Sequence, residues 1–303
     1  MCPIDTVGVG LINRADHEWV VRATRWWWLV AGVACAGCAQ PNHIDSRSMS
    51  PDAPAGRVQV TIDPRTDPVA YLRQVHARCA SLDQYTLTFM REERRGLGLF
   101  NSMRGPERIR CWFRRDPFSV RMLWLDPDVK YGESSYVAGR DDDQVRFVPR
   151  HGLFGLRPGI TRVNVRTPVR WGEARYPLTD FGLQRSMERV IDAVEAAGPD
   201  AEVRYLGRVS EGDPPIEAHR IRVTVPGRFS VTPTSELNVD TQTHLLIATR
   251  LFSVTGRLEA AYTYRDLDTS VALTDDDFLM NAEREPRTAR AGSVERHPAS
   301  VGD

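Results

Sequence analysis

Four histidines fall in the body of this 303-residue chain, His76, His151, His219 and His244, and none stands at a spacing that makes a catalyst. No Gly-x-Ser-x-Gly or His-Glu-x-x-His occurs, and no serine or cysteine has an evident base beside it in the sequence. The chain therefore reads as non-enzymatic, with no catalytic residue and no cofactor. Metal chemistry fares no better. Asp141, Asp142 and Asp143 are adjacent, but a calcium loop needs alternating ligands, a central glycine and a terminal glutamate, so they read as a solvated turn. Asp275, Asp276 and Asp277 read as the acidic first turn of a short helix capped by Thr274, with Leu273 stapled against Phe278. Cys79 and Cys111 show no zinc-ligand spacing; they read either as a disulfide or as two small buried hydrophobes.

The residues with chemistry to offer are apolar, and the chemistry is burial. Tyr85, Leu87 and Phe89 alternate with polar neighbours ahead of a charged run at 91–95. Ile109 and Phe113, then Val120, Met122 and Trp124, alternate in the same way, as do Tyr262 and Tyr264. A period of two places each set on one face of a strand and calls for a cover. The opposite faces carry Arg108, Arg110, Arg114 and Arg121, which read with nearby glutamates as cross-strand ion pairs on a solvated surface.

The elements that position these faces are legible. Residues 235–266 spell a three-stranded meander with turns at 241–243 and 255–257. Its middle strand is apolar on both sides, with Leu245, Ile247 and Leu251 on one and Leu246, Ala248, Phe252 and Val254 on the other. Such a strand is either buried twice or buried once and covered by a guest. Asp67 followed by Pro68 starts a helix whose Val69, Leu72, Val75 and Cys79 recur at helical spacing. A second helix is expected from Thr179 to the stop at Gly198-Pro199, with an apolar core-facing stripe through Phe181, Leu183, Met187, Val190, Ile191 and Val194. Residues 134–139 and 144–148 form a hairpin, 201–209 and 218–225 two further strands, and 152–159 a Gly/Pro-rich connection or an apolar lid.

With 41% hydrophobic residues, 26% charged and a formal net charge of zero, the chain is an ordinary globular polypeptide for which nucleic acid is not a favoured partner. Residues 1–38 read as an export signal: Arg22 and Arg25, an apolar run of 26–34, then Ala36 and Gly37 before Cys38. That ending resembles a bacterial lipobox, which implies lipidation at Cys38 and a membrane anchor facing the periplasm. Cleavage before Cys35 stays open. Residues 39–66 read as a flexible tether, 67–283 as one folded domain, and 284–303 as a disordered tail.

Several blocks together carry a resemblance. Tyr85-Thr86-Leu87-Thr88-Phe89, residues 117–120 (Pro-Phe-Ser-Val), 132–139 (Gly-Glu-Ser-Ser-Tyr-Val-Ala-Gly), 166–168 (Arg-Thr-Pro) and 179–183 (Thr-Asp-Phe-Gly-Leu) resemble the bacterial envelope family known as domain of unknown function 1571. More distantly, a helix before the first strand, a meander with a glycine turn and a closing Asp-Asp-x-Phe are similar to the LolA/LolB lipoprotein-carrier superfamily. That likeness implies an α+β fold, a strongly curved antiparallel sheet forming an incomplete barrel, with helices packed on its concave side. It implies a cavity that accepts acyl chains or a hydrophobic peptide segment, here a lipid, an acyl chain or a lipoprotein tail. It carries over no site residue; the alternating faces above supply the candidate lining, Tyr85, Leu87, Phe89, Ile109, Phe113, Val120, Met122, Trp124, Tyr262 and Tyr264. The alternative is a protein-interaction or sensor module of the envelope on the same scaffold.

Overall fold

Asp67 accepts a hydrogen bond from the Ala70 N–H at 2.9 Å, and Pro68 at the first helical position needs no partner; together they start α1, Pro68–Ala80. The computed structural model describes residues 59–96, 101–142, 144–151 and 158–284. After α1 come β1 (Gln84–Arg95), β2 (Ser102–Arg114), β3 (Ser119–Trp124), β4 (Tyr131–Val137), β5 (Gln144–Pro149) and β6 (Thr161–Asn164). A connection containing α2 (Thr167–Arg170) leads to α3 (Leu183–Ala197). Then follow β7 (Glu202–Glu211), β8 (Ile216–Thr224), β9 (Thr234–Asp240), β10 (Leu246–Phe252) and β11 (Leu258–Asp268), and a closing segment with α4 (Asn281–Arg284).

All eleven strands form one antiparallel sheet in the order β6-β5-β4-β3-β2-β1-β11-β10-β9-β8-β7. Among the described residues only the β1–β11 pairing joins strands distant in sequence, so the sheet is two meanders zipped at the middle. Its edges, β6 and β7, do not pair among the described residues, and the barrel stays open. The chain leaves one edge at Asn164 and enters the other at Glu202, so residues 165–201 must cross the face between them. That crossing carries α3, whose Leu183, Met187, Val190, Ile191 and Val194 join α1's Tyr71, Leu72, Val75 and Cys79 in one core with the inward residues of β1–β3 and β8–β11. One pair of helices reaches strands from both halves, which requires a curved sheet with the helices on its concave side. The expected incomplete barrel is the architecture found.

Burying each large apolar side chain in such a core is worth about 1.5–3 kcal/mol. Cys79 and Cys111 contribute as free, buried thiols; the disulfide reading is not realised. Desolvation pushes the Cys79 thiol up to about 11 and raises Cys111 as well.

The convex face departs from expectation. Around Arg114, Arg121 and Arg146 it is strapped by the segment after β11, while Arg108 stays exposed beside Asp126 as expected. Arg121, with 4% of its side chain exposed, bonds Glu133 Oε1 at 2.6 Å and the Asp277 carbonyl at 3.2 Å. Arg146 is buried between Asp141 at 3.1 Å and Glu283 at 2.5 Å, so Asp141 is an internal ion-pair partner and not part of a solvated turn. Arg114 lies over the Phe278 ring at 4.9 Å and pairs with Asp275 at 2.7 Å. The expected short helix is a 3-10 turn, Asp275–Phe278, closed by the Asp277 carboxylate accepting from both the Thr274 N–H and hydroxyl.

Two further expectations are corrected. Thr179 and Asp180 belong to a separate 3-10 turn, Leu178–Asp180, because Gly182 takes φ +126° and the helix can start only at Leu183. In β10 the pairing with β9 shifts between Leu246 and Ala248, which turns Leu246 onto the same inner face as Leu251. Val254 lies beyond the strand and is exposed.

The reading of the 152–159 segment as a lid falls mostly on residues outside the described ones, as do the export signal, Cys38 and residues 285–303. Within the span read as a tether, the N–H groups of Thr61 and Ile62 donate to Gln74 Oε1 on α1, at 2.9 and 3.0 Å.

Candidate ligand cleft

The inward stripe of β1 runs Tyr85, Leu87, Phe89 and then, at the same period, Arg91, Glu93 and Arg95. On β2 Glu107 stands on the same face as Ile109, Cys111 and Phe113. One half of the concave face is thus apolar and roofed by α1 and α3; the other turns polar beyond the roof. A cleft of about 180 Å³ opens where they meet, between β1, β3, β11 and the crossing segment.

The ten residues expected to line a cavity all face inward and divide between two settings. Phe89, Met122, Trp124, Tyr262 and Tyr264 border the cleft. Tyr85, Leu87, Ile109, Phe113 and Val120 lie in the packed core and are not among its lining. Tyr85 stacks on Phe113 with centroids 4.6 Å apart, and its hydroxyl accepts the Leu183 N–H at 3.1 Å, anchoring the start of α3. Burial raises the Tyr85 hydroxyl well above its ordinary value.

The floor of the cleft is aromatic. Phe89 stacks on Tyr264 at 5.5 Å and meets Phe181 edge-on at the same distance. The opposing wall comes from Trp171, Tyr176 and Phe181 in the crossing segment. Sequence patterning places Phe181 on a helix stripe but passes over Trp171 and Tyr176, because irregular chain has no period to expose them. Their only signal is a density of aromatics and prolines in a connection that polar residues would otherwise fill.

One end of the cleft is ionic and nearly dry. Arg91 pairs with Glu107 at 2.6 Å, Arg95 bonds the other Glu107 oxygen, and the Trp124 indole donates to Glu107 at 3.2 Å. The Glu93 side chain is 4% exposed; Arg91 lies 3.9 Å from its Oε2, and the Tyr262 hydroxyl donates to its Oε1. These pairs are buried, which corrects the reading of the Arg/Glu alternation as a solvated face. Burial alone would lower Arg91, but Glu93 and Glu107 outweigh it and raise it; burial raises Glu107, but Arg91 and Arg95 outweigh it and hold its carboxyl below the usual range. Burial first, and Glu93 second, push Tyr262 well above its ordinary value.

Few polar points hold the crossing segment over the cleft. The Gly96 N–H donates to the Gly172 carbonyl at 3.0 Å, and Lys130 and Tyr131 donate to Glu173 at 2.6 and 2.9 Å. Trp171 at its outer turn is 65% exposed. The histidines lie elsewhere: the rings of His219 and His244 stand edge-on to Tyr71 at 5.7 and 6.2 Å. Among the described residues, no group of three His, Cys, Asp or Glu side chains forms a metal site, and no helix is long and apolar enough to cross a membrane.

Fold and cleft together define a class: an open antiparallel half-barrel with helices on its inner face and an apolar pocket at one end of it. Residues 82–285 match the family described as "Protein of unknown function (DUF1571)", and the chain belongs to that family. No curated protein matches the sequence. Among solved structures it is similar to MucB, with 16% identity, 71% of this chain and 64% of that chain covered, and a TM-score of 0.43. It is also similar to the LolA superfamily protein NE2245 from Nitrosomonas europaea (10% identity, 69% and 97% covered, TM-score 0.30). A further likeness is to a putative outer membrane lipoprotein-sorting protein domain from Vibrio parahaemolyticus (9% identity, 70% and 94% covered, TM-score 0.33). The chain spans just under two thirds of the MucB length.

Proposed function

We propose that this protein is a non-enzymatic lipoprotein of the cell envelope, anchored through Cys38, whose cleft holds the acyl chain of a lipid or of a lipoprotein tail. The observation that carries this reading is the cleft itself: an aromatic floor on a curved sheet, facing a wall of irregular chain pinned at a few polar points. Each methylene that enters leaves water with a gain of about 0.8 kcal/mol, so affinity needs no catalytic group. The volume of about 180 Å³ is close to that of a dry apolar cavity that takes a benzene-sized guest (~150 Å³). A whole chain therefore requires the 165–182 segment to draw aside, breaking the Gly96–Gly172 and Glu173 bonds, the Arg175–Glu259 ion pair and the Arg189 bond to the Asp180 carbonyl.

The same volume favours a second reading, in which one anchoring side chain of another envelope protein fills the cleft. A photoreactive residue in place of the exposed Trp171, in full-length protein in its own membrane, distinguishes them. Crosslinks to an acyl-bearing molecule, with a matching one-to-one mass by native mass spectrometry, are the expected result. Crosslinks only to a stoichiometric protein partner, with the cleft free of lipid, would establish the second reading in its place.

A further inference from the structure

Buried carboxylate oxygens are almost always hydrogen-bonded, because desolvating one without a donor costs about 1–3 kcal/mol, and more when it is charged. Glu93 Oε2 breaks this rule. It is hidden from water, receives no hydrogen bond from any described residue, and has only the long 3.9 Å approach of Arg91, which spends its shorter contact on Glu107. Its carboxylate is held in place at the other oxygen by Tyr262, and both Glu93 and Tyr262 border the cleft next to the aromatic floor. The site is therefore mainly apolar along its floor and ends at a fixed acceptor without a donor, beside an Arg91 Nε that has no acceptor of its own among the described residues.

Charge decides which donor fits. Arg91 and Arg95 balance Glu93 and Glu107, so the ionic end is neutral as it stands. An ammonium group would add an unpaired positive charge in a dry setting, whereas a neutral N–H satisfies the oxygen without one. Ester-linked acyl chains have no such donor; an N-acylated amine has it directly beside the alkyl chain.

We infer that the cleft selects acyl chains linked through an amide: once the 165–182 segment has drawn aside to admit the guest, Glu93 Oε2 accepts the amide N–H while the alkyl part lies over Phe89 and Tyr264. This rests on the acyl-guest reading above and narrows it from lipids in general to N-acylated chain termini. The probes are N-methyldodecanamide and methyl dodecanoate, which differ only in N–H against O, each competed against a fluorescent acyl probe on the full chain. The amide is expected to bind about tenfold or more tightly than the ester, the ratio one hydrogen bond to a charged acceptor supplies. Glu93→Gln is expected to bring the ratio to one or below, because the Tyr262 hydroxyl keeps the side-chain oxygen and turns the new NH₂, a donor, toward the guest. Equal binding of the two probes to the native chain overturns the inference while leaving the acyl-guest reading intact. A preference that survives Glu93→Gln overturns it as well. If neither probe binds, the acyl-guest reading falls and this one with it. The comparison on the native chain needs no variant to fold.

Discussion

Glu93 and its neighbours show how a single residue's setting escapes a reading by type. A run of Arg and Glu invites assignment to solvent, yet the period of two that places Tyr85, Leu87 and Phe89 inward continues unbroken to Arg91, Glu93 and Arg95. The signal lies in the alternation, which assigns a strand residue to a face by its parity and not by its charge. The energetic consequence is specific. Tyr262→Phe removes the one donor to Glu93 Oε1 and leaves a buried carboxylate with no hydrogen bond at either oxygen, at an expected cost of about 1–3 kcal/mol. Urea unfolding measures this, and a midpoint equal to that of the unaltered protein would mean that water reaches Glu93 in solution.

At the scale of elements, the crossing from β6 to β7 decides where the cleft lies, and Gly182 is its pivot. Gly182 joins the cleft wall to α3 in a backbone conformation that L side chains rarely adopt. A Cβ there would stand 3.1 Å from the Phe113 ring and 3.2 Å from the Tyr85 hydroxyl that anchors α3. Gly182→Ala is expected to destabilise the fold by about 1–3 kcal/mol and to loosen the wall before the sheet. Hydrogen exchange checks this: protection should fall first in 176–187, and a loss spread evenly over the sheet would contradict a pivot role. The start of α3 illustrates what local patterning misses, since the cap-like Thr179 and Asp180 were a plausible helix start until the conformation of Gly182 placed the break after them.

At the scale of the whole molecule, titration gives a directional test. Burial lowers both His219 and His244, and Glu107 is held below its ordinary range once Arg91 and Arg95 outweigh its burial. All three bind protons more readily when unfolded, so their stabilisation is complete above the unfolded values of about 6.5 for His and about 4.3 for Glu. It is lost as pH falls through the depressed folded values. The melting temperature should hold above pH 7, decline below about 6.5, and decline more steeply below about 4.3; a melting temperature flat between pH 7 and 3 would contradict the burial of these groups. What the amino-acid order determined by itself was whatever depends on near neighbours: the capped start of α1, the meander, the strand alternations that mark ten inward residues, and the family blocks. Only the tertiary structure decided that five of those ten border a cleft while five are core, that Arg114, Arg121 and Arg146 on the convex face lie under a strap, and that the Arg91–Glu107 pair is dry. The reason is physical: periodicity tells which face a side chain takes, but what covers that face depends on where a distant segment crosses, and that follows from the sheet's curvature and the joining of its two halves at β1 and β11.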